Sequence, residues 1–223
     1  MSAFKTEFIK SLTKAEFQLS APKARDNNRY FTLDIAYNTL FDLHDALRPH
    51  IKLEIKVSKS QLPIQEMPVG SFLAKLANQP PEVKCIACMD PVETAADKLS
   101  ALAWRIPNRA IPNQSNDPTL VRHIHDLAVL EKLATEDGRF IQLVAKSMQI
   151  DNDTVVKNKS IYGLSNTEKL DNMLTILEYS SEYRWEYDQF VKSVSYAPAG
   201  AEPDFDKALD ALKRLVHITR AKY

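Results

Sequence analysis

The chain has 223 residues, 44% of them hydrophobic, with 29 lysines and arginines against 29 aspartates and glutamates. That length builds one large domain or two small ones around a sizeable core. Zero net charge excludes a global field that would hold the protein on nucleic acid or an anionic membrane, so phosphate recognition has to be local.

Four glycines, at 70, 138, 163 and 200, form neither GxGxxG nor GxxxxGK, which removes Rossmann and phosphate-loop NTPase readings. Cys85 and Cys88 are a lone C-x-x-C with half the ligands of a zinc site, and are expected to be structural thiols on a strand. No apolar run reaches membrane-spanning length, and the start MSAFKTEFIK has an early glutamate and no apolar signal core. The expected compartment is the cytoplasm.

In chain order, Phe4, Phe8 and Leu12 predict an opening helix to about Lys14. After the polar break APKARDNNR, the run YFTLDIAYN predicts a strand over 30–38 that contains Asp34. A short segment TLFDLHDALRP turns at Pro49 into IKLEIKVS. There Ile51, Leu53, Ile55 and Val57 alternate with Lys52, Glu54, Lys56 and Ser58, predicting a strand with one packed aliphatic face. Pro63 and Pro68 mark a loop, GSFLAKLAN a brief helix, and VKCIACM a third strand.

From Asp90 the period becomes helical. Asp90, Pro91 and Glu93 predict a capping box, after which Ala95, Leu99, Leu102 and Ile106 form a buried stripe and Lys98 and Arg105 share a neighbouring face. The helix is expected to give way to a proline-broken loop. A second helix opens at Asp117 and Pro118, buries Leu120, Ile124, Leu127 and Leu130, and carries Arg122, His123 and Asp126 on another face. His123 and His125 point to different faces and take packing or surface roles. Further helices are expected over 139–148, with Phe140, Ile141, Val144 and Met148 on one face, from a Ser165–Glu168 capping box to about Phe190, and over Phe205, Leu209, Leu212 and Val216. DNDT at 151–154 is expected to be a turn, not a metal loop. Tyr179, Tyr183 and Tyr187, near Trp185 and Phe190, form a stripe that fits a core face, with base stacking as the alternative.

Taken together, KLEIKVS, PVETAADKLSALAWR and DPTLVRHIHDLAVL resemble the AbiEii/AbiGii toxin family of nucleotidyltransferases in order and spacing. The resemblance covers about residues 30–133, and the helical tail follows by pattern only. It implies an α/β (α+β) fold: a small mixed sheet truncated at its start over 1–89, followed by a helical bundle over 90–223. The cleft between them is expected to hold Glu54, Lys98, Arg105 and Asp126.

The family's chemistry implies transfer of a nucleotide from an NTP to an acceptor such as RNA, in a bacterial toxin–antitoxin or phage-defence role with a cognate antitoxin. Such a transfer is charge neutralisation and positioning by carboxylate-held Mg²⁺ and cations. By resemblance, Glu54 is the acidic strand residue and metal carboxylate, Lys98 and Arg105 grip phosphates with Arg122, and Asp126 orients Lys98 or acts as a base. The family's opening Gly-Gly or Gly-Ser turn and Asp-x-Asp pair have no counterpart in this sequence, and Asp34 lacks the spacing to substitute. The alternative is therefore a catalytically inactive, shortened homologue acting as a binding module. An exposed sheet edge would favour self-association. Without the resemblance, Lys98 and Arg105 are a solvated helix face, Glu54 an exposed cross-strand charge, and Asp126 the partner of Arg122 in an intrahelical ion pair.

Overall fold

The computed structural model describes residues 2–25, 27–38, 50–111, 117–154, 163–194 and 200–220, which fall into two compact units, Met1–Lys59 and Ser60–Tyr223. The segment expected over 39–49 lies outside the described residues.

The first unit opens with helix α1, Ser2–Lys14, as the four-residue spacing predicts. Its sheet comprises β1 (Gln18–Leu19), β2 (Lys23–Arg25), β3 (Tyr30–Ala36) and β4 (His50–Lys56). Strand β3 is the hub: β1 and β2 pair with successive halves of it on one side and β4 along its whole length on the other, all antiparallel. Strand β2 thus occupies part of what reads in sequence as a polar break, and β1 lies just before it. The β2–β3 turn is made by Asn27 and Asn28 in left-handed backbone, φ 53° and 63°, a conformation asparagine tolerates better than most residues. Phe31 and Leu33 form the buried side of the sheet. On β4 the expected aliphatic face is only partly realised, because Ile51 is 56% exposed on a strand whose described pairing is to β3 alone.

The second unit begins with an antiparallel hairpin, β5 (Gln65–Val69) and β6 (Val83–Cys88), separated by the short helix α2 (Phe72–Leu76). Cys85 and Cys88 are free thiols, and both lie on β6, the strand expected there. All strand pairs among the described residues are antiparallel, where a mixed sheet was expected; the α+β class stands.

Six helices follow: α3 (Pro91–Arg109), α4 (Val121–Glu136), α5 (Phe140–Thr154), α6 (Asn166–Tyr179), α7 (Ser181–Val194) and α8 (Phe205–Arg220). Helix α3 is central, packing against α4, α5 and α6. Its predicted stripe, Ala95, Leu99, Leu102 and Ile106, is wholly buried. Leu120, Ile124 and Leu127 of the second predicted helix join the same core, with Phe205, Leu209, Leu212 and Val216 from α8.

Four details depart from expectation. Glu93 forms no capping box: Asp90 accepts from Val92 N, while the Glu93 carboxylate turns to the preceding loop and accepts from Ser60 Oγ, Gln61 N and Leu62 N at 2.8–2.9 Å. Pro107 does not break α3, which runs two residues further to Arg109; its missing N–H costs one helical hydrogen bond, to the Ala103 carbonyl, close to the C-terminal end. Residues 151–154 are the last turn of α5 rather than a turn between helices, Asp151 accepting from Ser100 Oγ and Asn152 from Lys169 Nζ. The predicted helix from Ser165 has its capping box but ends at Tyr179, and α7 starts afresh at Ser181. That break splits the tyrosine stripe: Tyr183 and Tyr187 are buried, Tyr187 donating to Pro203 O, whereas Tyr179 and Trp185 are exposed.

Candidate functional site

The polar residues that the bundle gathers lie on α3 and α4. The core stripe of α3 fixes which way its remaining face points, and Lys98 and Arg105, seven residues apart, share that face. Across from them Asp117 caps a short 3₁₀ turn, Pro118–Leu120, by accepting from Thr119 N and Thr119 Oγ1, and this turn feeds directly into α4. The register of α4 is thereby set so that Ile124 and Leu127 bury while Arg122, His123 and Asp126 do not follow them into the core.

Lys98 donates from Nζ to Asp126 Oδ2 at 2.6 Å, and the same Nζ is 3.4 Å from His123 Nδ1. Asp126 therefore takes its partner from the neighbouring helix, where an intrahelical pair with Arg122 was the alternative. Burial opposes ionisation of Asp126, but hydrogen bonding from His125 and Lys98 outweighs it and holds its carboxyl down to about 2. Burial also pushes His123 down to about 4, helped by the positive charges of Lys98, Arg122 and Arg105. All three cations thus act on one imidazole. Asp117 is opposed by burial yet held below the usual carboxylate range by Thr119, with Arg122 and Arg105 adding to the effect.

Next to this cluster His125 joins α4 to the segment before α8: its Nε2 is 2.7 Å from Glu202 Oε2, and its ring packs edge-on to Phe190 and tilted to Tyr187. Asp126 and Glu202 raise its pKa. Sequence reasoning assigned His125 to a packing or surface role and missed Glu202, which has no motif around it; the Pro203 that follows gives no hint of a partner 77 residues earlier. Chemically, the arrangement is three cations, a neutral imidazole and an ionised carboxylate that fixes one of those cations. It can bind a polyanion and hold a lysine at a defined position.

A model of the nucleotidyl transferase AbiEii toxins of type IV toxin–antitoxin systems matches residues 1–211. The chain belongs to this family. No curated protein and no solved structure matches it. Nucleotidyl transferases generally use a divalent metal, and the AbiEii family membership raises the question of which residues here fit one. Glu54, on β4 of the first unit, is ion-paired with Lys52, and Asp34 has His50 Nε2 at 3.4 Å. Among the described residues no group of three or more His, Cys, Asp or Glu is arranged to hold a metal ion. Mg²⁺ demands near-octahedral oxygen coordination, and the described donors do not by themselves assemble such a set. None of the described helices is long and apolar enough to cross a membrane.

Proposed function

We propose that this AbiEii-family chain transfers a nucleotide from an NTP to an RNA acceptor, and that Lys98, Arg105 and Arg122 bind the triphosphate. The observation that carries the reading is the placement of Lys98 Nζ, 2.6 Å from Asp126 Oδ2 and 3.4 Å from His123 Nδ1, with Arg105 on the same face of α3 and Arg122 next to His123 on α4. A triphosphate brings several negative charges that such a cluster neutralises, and charge on the departing pyrophosphate is what a positioned cation stabilises in the transfer. Asp126 orients Lys98. A carboxyl held near 2 and hydrogen-bonded to an ammonium is a poor proton acceptor at neutral pH, where an efficient general base has a pKa close to the working pH. Glu54 is the acidic residue at the family position on β4, offered as a metal carboxylate by that correspondence alone. The biological reading is a cytoplasmic bacterial toxin opposed by an antitoxin, in a phage-defence setting.

The test is incubation of the protein with each α-labelled NTP, Mg²⁺ and total RNA. Label is expected in RNA with one or more nucleotides and is expected to fall at least about a hundredfold in Lys98→Ala, the scale seen when one preorganised charge-stabilising group is removed. A wild-type protein that transfers no label at any concentration overturns the reading. The second reading, a binding module without catalysis, is favoured by one observation: Glu54 is engaged in an ion pair with Lys52. NTP binding without transfer would support it.

A further inference from the structure

The neutral chain divides its charge unevenly. Residues 1–59 contain ten lysines and arginines against seven aspartates and glutamates, a net of +3, and residues 60–223 contain 19 against 22, a net of −3. Within the first unit the cations gather on one face of the sheet. Register sets Lys23 beside Thr32, Arg25 beside Tyr30, Lys52 beside Asp34 and Lys56 beside Tyr30. Strand alternation puts all four cations on the face opposite to buried Phe31 and Leu33.

A cavity of about 310 Å³ opens on this face, lined among others by Lys23, Arg25, Tyr30, Thr32, Asp34 and Lys52. The Arg25 guanidinium lies 3.9 Å over the centroid of the Tyr30 ring. A guanidinium over an aromatic ring offers both a charge for a phosphate and an aromatic neighbour for a base to stack on. Ser20 Oγ, also at the cavity, accepts from Asp34 N at 2.8 Å, which leaves its own proton free to donate. Asp34 and Glu54, the carboxylates of the face, lie against His50 and Lys52.

Single-stranded nucleic acid is recognised by this combination: cations that track a phosphate backbone, an aromatic and arginine stack, and hydroxyls within reach of the 2′-OH of RNA. A folded duplex is less suited, because the cations line a local concavity and not a long stripe. We propose that this face of the first unit holds the RNA acceptor strand, its phosphodiesters gripped by Lys23, Arg25 and Lys52. The inference rests on the RNA-acceptor reading above, but it is tested by binding, which needs no turnover.

The experiment is fluorescence anisotropy of a labelled single-stranded oligoribonucleotide on the full chain across salt, beside binding of a labelled NTP. Three backbone contacts predict a log–log salt slope of about −2. The double variant Lys23→Gln/Arg25→Gln is expected to weaken RNA binding about tenfold or more and to flatten the slope by about 1.4, with NTP affinity and Tm unchanged. The inference is overturned by no wild-type RNA binding at low salt, by unchanged RNA affinity in the variant, or by equal loss of RNA and NTP affinity, which would make the cavity a nucleotide site. Should the double variant unfold, the exposed single change Lys23→Gln, which keeps the Arg25–Tyr30 stack, is judged by the same criteria with a slope change of about 0.7. RNA binding at this face without label transfer would sink the transfer reading and leave this one standing; transfer with unaltered RNA affinity in the variants would do the opposite.

Discussion

Lys98 of α3 and Asp126 of α4 meet with Nζ 2.6 Å from Oδ2, so the lysine that is proposed to face phosphate is held by a residue on a different helix. Without that carboxylate the flexible four-carbon stem of lysine samples many rotamers, and the cation loses its fixed position. Asp126→Asn is therefore expected to lower transfer about tenfold to a hundredfold while changing stability by about 1 kcal/mol or less, the scale of a half-exposed ion pair. Rates and melting curves on the same preparations check this. A large stability loss with normal transfer per folded molecule would make the pair structural.

The two histidines of α4 are expected to titrate in opposite directions. His123 is lowered to about 4 from an ordinary 6.5, first by burial and then by Lys98, Arg122 and Arg105, whereas His125 is raised by Asp126 and Glu202. A base with a depressed folded pKa contributes stability that is fully present above 6.5 and is lost as pH falls through 6.5 toward 4. His125 works the other way, contributing stability below 6.5 that is lost as pH rises through its folded value. NMR titration of the ring protons should give one midpoint near 4 and one above 6.5. His123→Gln should flatten the acid limb of stability between those values, and a His123 midpoint near 6.5 would contradict the buried, cation-flanked placement.

Arg109 and Glu186 form the most deeply buried ion pair of the bundle among the described residues, each about 6–7% exposed. The guanidinium donates to both Glu186 oxygens at 2.6–2.7 Å, also reaches Glu182, and lies over the Tyr183 ring. Glu186→Ala leaves that charge buried with only an exposed partner, and is expected to cost about 3 kcal/mol. Glu182→Ala removes the exposed partner alone and should cost under about 1 kcal/mol. Denaturant unfolding of both variants checks the contrast, and equal costs would contradict it.

Glu93 makes a comparable prediction for the link between the loop at 60–62 and α3. Its 2% exposed carboxylate satisfies two backbone N–H groups and the Ser60 hydroxyl. Glu93→Ala leaves the Gln61 and Leu62 amides unpaired, while the Ser60 hydroxyl keeps Leu62 O as an acceptor, and should destabilise by about 2–4 kcal/mol, with the amides of Gln61 and Leu62 exchanging faster. Unchanged exchange at those amides would show that the loop is fastened by other means.

Much of the bundle was legible because its helices carry local signals. The stripe Ala95, Leu99, Leu102 and Ile106, the Asp117 cap and the Ser165–Glu168 box are all set by residues within a few positions of one another. Lys98, Arg105, Arg122 and Asp126 were legible as face-sharing positions, and the family resemblance gave them a purpose. What sequence could not give were partners far apart in the chain. Nothing near Glu93 marks Ser60–Leu62 as its acceptor-seeking loop, and nothing near His125 marks Glu202. Strands β1 and β2 were hidden because two or three residues are too few to show an alternating pattern, and they pair with β3 through backbone groups that carry no side-chain signature. The cation-rich face of the first unit was masked by a net charge that sums to zero over the whole chain.

A triphosphate site formed by Lys98, Arg105 and Arg122 is probed by equilibrium binding of an NTP and the matching NMP to wild type, Arg105→Ala and Arg122→Ala. Wild type is expected to prefer NTP over NMP by at least about tenfold, and each arginine change to remove about tenfold of NTP affinity while leaving NMP affinity and Tm nearly unchanged, the size of one charge-assisted phosphate contact. Equal affinity for NTP and NMP, or NTP affinity untouched by both substitutions, would contradict it.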